Sequence, residues 1–329
     1  MTFEPRPFRP PVWARGPHLQ TLLARALRSS ERVPLRRERL ETPDGDFLDL
    51  DWGLDSSSTS PIVLILHGLE GSTERRYVRN LCRELSGHGI LPVAMNFRGC
   101  SGEPNRLPRF YHSGETGDPR FVLDVLKERF PGRPLGAFGF SLGGNILLKM
   151  LGEDGSAGEE RLQAAVAMSV PYDLAAGCRL LETTRMGHFY SWYFLRSLRS
   201  KARAKEDMLR RIIDVDAALA APSIRRWDDL ATAPLHGFED AAAYYTASSS
   251  VHYLEAVAVP TLLQHAADDP FLPEAAIPRE SAAANPHIDL HVHPFGGHVA
   301  FMDGSLRSPS FWGEEEGARY LAARLLQAT

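Results

Sequence analysis

Gly139-Phe140-Ser141-Leu142-Gly143 lies between an apolar run, Leu135 to Phe140, and a helix-compatible stretch, Asn145 to Leu151. A serine in that setting can be a nucleophile. Its hydroxyl is weak in water, so it must stand clear of the backbone on a sharp strand-to-helix turn where a histidine can take its proton. Gly139 and Gly143 carry no Cβ to collide with the strand and the helix, and Gly144 extends the uncrowded side. The start of the following helix turns free N–H groups and a positive dipole end toward the same spot, which suits a developing oxyanion. The chemistry indicated is acyl transfer through a serine ester.

That chemistry needs a base and an acid to orient it, and after such a serine they follow in the order acid, then histidine. Val259 to His265 reads as a late buried strand running into Ala266-Ala267-Asp268-Asp269-Pro270-Phe271-Leu272-Pro273. Ile288 to His293 reads as the last strand, leading into Pro294-Phe295-Gly296-Gly297-His298. A parallel sheet gathers its strand ends along one edge, so an acid on one and a histidine on the next can meet beside the serine. The expected catalytic set is Ser141, Asp269 and His298. Asp268 competes for the acid role; Asp269 is preferred because its Asp-Pro-Phe-Leu-Pro context resembles the acid turn of many α/β-hydrolases.

The elements that would position these groups read as follows. Ile62 to Leu66, Pro92 to Phe97 and Leu135 to Phe140 are strand-like segments separated by helix-compatible stretches, the pattern of a parallel βαβ sheet. The first ends in His67-Gly68-Leu69-Glu70-Gly71, a glycine-bearing turn of the kind that supplies one oxyanion N–H. The expected oxyanion hole uses the N–H groups of Leu69 and Leu142. Residues 1–35 form an N-terminal arm with Pro10-Pro11-Val12-Trp13 and a short helix, Leu19 to Leu27. Residues 36–53 read as a β-hairpin turning at Asp44-Gly45.

Between the strand Ala164 to Val170 and that at Val259 lie about 90 residues, more than a crossover needs. The division expected is a core of 36–171 and 251–329 with a cap insertion over 172–250. Within the cap, Met186 to Leu195 is rich in aromatic side chains that either line an acyl pocket or pack the cap onto the body. The basic stretch Arg196 to Arg211 reads as a solvated helical face, with peripheral contact to anionic lipid as its alternative.

At 329 residues, 43% hydrophobic, with no low-complexity linker, the chain can build one large core. A net charge of −4 with scattered Lys and Arg argues against a nucleic-acid surface. Three cysteines, Cys82, Cys100 and Cys178, do not make a disulfide framework and suit a reducing cytoplasm. The N-terminus is Pro- and Arg-rich without an apolar h-region, so no secretory signal is expected, and no apolar stretch reaches spanning length. The residues carry no signal of oligomeric state.

Further motifs are Pro17-His18-Leu19-Gln20-Thr21, Asn96 to Gly102, Tyr111 to Asp118, Ser169 to Leu174, Ala233 to Phe238 and Gly296-Gly297-His298. With the serine pentad, these make most of the chain resemble the YheT-like α/β-hydrolases, also called AB-hydrolase family 4. Two positions depart from the pattern: Pro17 stands where members usually carry Asn, and Ala300 where Gly usually follows the histidine motif. Neither is a proposed catalytic residue. The resemblance implies an α/β-hydrolase fold with a mostly parallel sheet flanked by helices and a helical cap. It also implies a carboxylesterase or acylglycerol lipase acting on a small-molecule acyl ester, with some relatives passing medium acyl chains to alcohols. Water as acceptor gives hydrolysis and an alcohol gives transesterification; one triad serves both. No cofactor or metal is needed for either.

Two other classes compete. His291 and His293 share a strand face, and with His265, Asp268, Asp269 and His298 they loosely imitate a metal cluster, although H-E-x-x-H and paired-Cys spacings are missing. A catalytically silent binding module is the other; it would be free to lose the serine, acid or histidine, and all three are present. Asn96 and Arg98 either order the active-site edge or simply hydrogen-bond their loop. Tyr111, His112 and Ser113 either approach substrate or, as preferred, brace the loop, and Asn145 is expected to be a polar residue in the first turn of the nucleophile helix.

Overall fold

The structure, a computed structural model, describes residues 3–29, 33–55 and 57–327. Eight strands form one mixed sheet: β1 (Arg36–Glu41), β2 (Phe47–Trp52), β3 (Ile62–Leu66), β4 (Leu91–Asn96), β5 (Leu135–Phe140), β6 (Ala164–Met168), β7 (Thr261–Ala266) and β8 (Ile288–His293). Their order is β1-β2-β4-β3-β5-β6-β7-β8. The β1–β2 and β2–β4 pairs are antiparallel, and every pairing from β4 to β8 is parallel. The hairpin turns at Asp44-Gly45 as expected, with Gly45 at φ +81°.

The central strands are continuous apolar runs because helices cover both of their faces. Val63 and Ile65 of β3 point into one core, with Phe138, Phe140, Val166 and Met168. That face is closed by α2 (Arg76–Gly87) and the C-terminal helix, Trp312–Leu325. Ile62, Leu64 and Leu66 alternate to the other face, closed by α3 (Gly117–Arg129) and α4 (Leu142–Asp154). The edge strand β1, Arg-Arg-Glu-Arg-Leu-Glu, buries only Leu40, and its charges discourage further pairing.

The strand expected over Ala164 to Val170 stops at Met168 because Ser169 adopts φ +53°, which leaves the extended region. The Val259 strand begins two residues later than expected, at Thr261, and runs on to Ala266. Helix α1 (Pro17–Leu27) starts at a proline that pre-sets its first turn and lies two residues ahead of the expected start. The arm before it crosses the C-terminal helix: Phe3 meets Tyr320 edge-on, and Trp312 Nε1 donates to the Arg6 carbonyl at 3.1 Å.

From β6 to β7 the chain builds α5 (Leu174–Thr183), α6 (Arg185–Ala204), α7 (Glu206–Leu209), α8 (Val215–Ala220), α9 (Ile224–Trp227), α10 (Ala233–Leu235) and α11 (Ala241–Ser248). Asp173, Thr184, Asp214, Ser223 and Asp240 open five of these helices, each side chain accepting a first-turn N–H. The insertion has a core of its own around Leu195, Leu209, Val215 and Trp227.

Candidate active site

Ser141 occupies the turn between β5 and α4 at φ +51°, ψ −120°, a strained conformation for a residue with a Cβ. The turn fits only because its neighbours are small. A Cβ on Gly143 would come within 2.5 Å of the Leu66 carbonyl oxygen, and one on Gly68 would come within 3.2 Å of the Ser141 Cβ. Helix α4 and the turn after β3 therefore close tightly around the serine.

His298 Nε2 lies 2.9 Å from Ser141 Oγ. On its other side, His298 Nδ1 lies 2.9 and 3.1 Å from the two carboxylate oxygens of Asp269. Asp269 is almost fully buried, and its Oδ1 also accepts the Phe271 N–H at 2.8 Å. The Phe271 ring stands 4.2 Å from the His298 ring, centroid to centroid, and shields it. Asp268 has a different place: its Oδ1 accepts the Gly297 N–H at 2.8 Å, bracing the loop that carries the histidine. Burial holds the Asp268 carboxyl above its usual range.

The turn after β3 is pinned on both sides of Leu69. The Gly68 N–H donates to Tyr77 Oη at 3.0 Å, and the Glu70 N–H donates to Tyr111 Oη at 2.7 Å. His67 Nε2 accepts the Phe97 N–H at 3.2 Å, so its proton sits on Nδ1 and is donated to the Gly68 carbonyl at 2.8 Å. Burial pushes His67 down to about 3, so it is neutral there. The Leu69 N–H between these anchors has no acceptor among the described residues, and neither has the Leu142 N–H at the start of α4.

Helix α1 contributes more to the site than its residues foreshadow. Thr21 Oγ1 donates to the Pro17 carbonyl at 2.6 Å and accepts the His298 N–H at 2.9 Å. Buried Gln20 brackets Met302, accepting its N–H at 3.0 Å and donating to its carbonyl at 3.3 Å. Buried Arg28 pairs with Glu314 at 2.7 Å and donates to the Val299 carbonyl. The Pro17-His18-Leu19-Gln20-Thr21 motif was the available signal, but no spacing rule connects it to residue 298.

A cavity of about 870 Å³ opens over Ser141 and His298. Leu69, Leu142, Phe189, Tyr190, Phe194 and Phe271 are among its lining residues. Four of the aromatics in the Met186 to Leu195 stretch thus face the cavity: Phe189, Tyr190, Tyr193 and Phe194. Its wall also carries His112 and His236, both pushed down to about 3 by burial, and Asp228, which burial raises to about 6.

Of the other expected residues, Arg98 and Asn96 act as braces, while Tyr111, His112 and Ser113 also line the cavity. Arg98 binds Asp118 through two contacts of 2.8 and 2.7 Å and also holds Asp44 and Asp46. Asn96 joins Thr73, Asp49 and Asp51. The Ser113 N–H donates to Tyr244 Oη at 2.9 Å. Asn145 does more than expected: its amide donates to the Ser113 and Ser248 carbonyls and accepts the Ser250 N–H, tying the nucleophile helix to the end of the insertion. His291 and His293 point to other work. His291 Nε2 lies 2.9 Å from Asp289, and His293 packs against Trp312 and Phe8.

A sequence model of the α/β hydrolase fold family matches residues 61–305. The Escherichia coli protein YheT is 38% identical over 312 residues, covering 94% of this chain and 91% of that one. The phospholipase ABHD3 of Mus musculus is 34% identical over 90% of this chain and 74% of its own length. A monoacylglycerol lipase of Saccharomyces cerevisiae is 30% identical over 87% of this chain and 63% of its own. Among solved structures, a Pyrococcus furiosus esterase, Pf2001, superposes with a TM-score of 0.59 at 17% identity, covering 89% of this chain and 94% of that one, a likeness of fold.

Proposed function

The chain belongs to the α/β-hydrolase fold family, among its YheT-like members, and from that premise we propose that it is a serine carboxylesterase acting on short- to medium-chain acyl esters or acylglycerols. The reading rests chiefly on one observation: Ser141 Oγ lies 2.9 Å from His298 Nε2, on the wall of a largely apolar cavity. Ser141 attacks the ester carbonyl as His298 removes its proton. Asp269 keeps the imidazole proton on Nδ1 and stabilises the imidazolium that forms. The tetrahedral oxyanion takes the unengaged N–H groups of Leu69 and Leu142. His298 then protonates the leaving alcohol, and water repeats the sequence on the acyl-enzyme.

The cavity volume lies within the range of pockets that enclose drug-sized ligands, room enough for an acyl chain and a small head group. Relatives named phospholipase and monoacylglycerol lipase support an ester of lipid type. The test is hydrolysis of a p-nitrophenyl ester series from acetate to palmitate by wild type and Ser141→Ala, with and without ethanol. A Ser141-dependent rate peaking at one chain length is expected, and ethyl ester product would mark transfer to alcohols. The same rate in wild type and Ser141→Ala would refute the reading.

A further inference from the structure

Eleven large apolar side chains are markedly exposed among the described residues, and their distribution is uneven. Leu19 and Leu22 of α1 are 44% and 43% exposed, and Phe189 and Trp192 of α6 are 45% and 54% exposed. Leu22 and Phe189 also line the active-site cavity, which puts them on its rim. Leu19 is one helical turn from Leu22, and Trp192 stacks on Phe189 with centroids 6.1 Å apart. The two helices are joined: His18 Nδ1 lies 3.2 Å from Tyr190 Oη, and Arg25 donates to Tyr193 Oη at 2.9 Å. Val12 and Trp13, just ahead of α1, and Phe295, in the loop that leads to His298, are exposed as well. Leu19, Leu22, Phe189 and Trp192 therefore cluster on the two helices that meet at the opening.

Isolated exposed apolar residues need no explanation, whereas a cluster around a cavity mouth marks a contact surface. Its charge says which kind. Arg25, Arg75 and Arg76 line the same mouth. The exposed carboxylate among them, Glu74, is already paired with Arg79. The rim is thus cationic on a chain whose net charge is −4. The rim arginines meet only neutral oxygens among the described residues, Arg25 the Tyr193 hydroxyl, Arg75 the Glu70 carbonyl and Arg76 the Ala26 and Arg28 carbonyls, so their charge stands. In the basic run Arg196 to Arg211, by contrast, Lys201 and Arg210 are held by carboxylates.

We propose that α1 and α6 form a lipid-docking rim that seats the cavity mouth on the surface of an anionic phospholipid bilayer. Leu19, Leu22, Phe189 and Trp192 enter the acyl boundary, and Arg25 and Arg76 meet the phosphate head groups. An acyl chain can then pass from bilayer to cavity without crossing water. Docking is independent of turnover, so Ser141→Ala should dock like wild type, and a failure of the esterase reading would be seen separately.

The experiment is co-sedimentation with vesicles of phosphatidylglycerol and phosphatidylcholine mixed, and of phosphatidylcholine alone. It compares wild type, Ser141→Ala, Leu19→Glu, Trp192→Glu and the Leu19→Glu/Trp192→Glu pair. Leu19 and Trp192 lie outside the cavity lining and are solvent-facing, so far-UV dichroism and hydrolysis of a soluble butyrate ester should stay within about twofold of wild type. The proposal expects wild type and Ser141→Ala to bind the anionic vesicles, more weakly in high salt or on phosphatidylcholine alone, and the pair to lose at least tenfold in affinity. It is overturned if wild type stays in the supernatant at low salt, or if the folded single and double variants all bind as wild type does. A wild-type dimer in light scattering that the pair dissociates, with no vesicle binding, would assign the rim to a second copy of this chain instead.

Discussion

Lys201 Nζ, on α6, lies 2.8 Å from Oε1 of Glu70, one residue past Leu69 of the cavity lining. Glu70 is buried and sits at φ +52°, and its carboxylate also takes Tyr111 Oη at 2.8 Å and Ser197 Oγ. Two of these three partners, Lys201 and Ser197, come from α6. One carboxylate thus links the insertion to the proposed oxyanion turn.

Glu70→Gln should lower kcat by about tenfold to a hundredfold, with less effect on KM, since a misplaced oxyanion donor acts on the transition state. Lys201→Met strands a buried carboxylate and should destabilise the fold by about 3 kcal/mol. The Glu70→Gln/Lys201→Met pair should be less destabilised than Lys201→Met alone. Urea melts and ester kinetics on the four proteins check this; strictly additive losses would mean the two groups are not coupled.

The neighbouring aspartates should separate cleanly. Asp269→Asn permits the wrong imidazole tautomer, and a loss of about 10³ to 10⁴ in kcat is expected. Asp268→Asn only weakens a brace on Gly297 and should cost about tenfold or less. Equal losses in a side-by-side kinetic comparison would contradict this division of roles.

Much of this was legible in the chain. Ile62 to Leu66, Leu135 to Phe140 and Ile288 to His293 are strands at the residues expected. The first two are buried parallel strands written as short apolar runs, and the last is a half-buried edge strand written as alternating apolar and polar residues. Ser141, Asp269 and His298 stand out as candidates in the sequence because each follows such a strand. Thr21 was invisible for the opposite reason. Its bond to His298 spans 277 residues and joins an amphipathic helix to a loop, which no local periodicity encodes. Glu70 and Lys201, 131 residues apart, were hidden likewise. A charged residue flanked by Leu69 and Gly71 in a turn was the only trace.

Thr21→Val removes the acceptor of the His298 N–H while keeping the side-chain shape. A decrease in kcat of about tenfold is expected with KM nearly unchanged, and Thr21→Ser should restore most of it. Failure of the serine variant to recover activity would point to the methyl group, not the hydrogen bond.

Stability should fall as pH drops below about 6.5. Burial pushes His67, His112 and His236 to about 3 and His265 and His293 to about 4, so the unfolded chain takes up protons that the folded chain refuses. Asp228 and Glu314 work the other way: burial raises them to about 6 and about 7, so their contribution is greatest at acid pH and is lost as pH rises. The five histidines are joined by carboxylates held below their usual range, such as Asp49 and Asp51. Together they outweigh Asp228, Glu314 and the other carboxyls that burial raises, Asp268 among them, so stability rises with pH between pH 4.5 and 6, at about 1.4 kcal/mol per net proton for each pH unit. Thermal melts across that range should show Tm rising with pH; a Tm that falls would reverse the assignment. Asp228→Asn should make the rise steeper.

The central claim is that Ser141 is a nucleophile activated by His298. Labelling with a fluorophosphonate probe, followed by peptide mass spectrometry, tests it before any substrate is known. The expected result is a single adduct on Ser141 in wild type, lost in Ser141→Ala and slowed by at least a hundredfold in His298→Ala. A wild-type protein that stays unlabelled, or that labels equally well without His298, would contradict it.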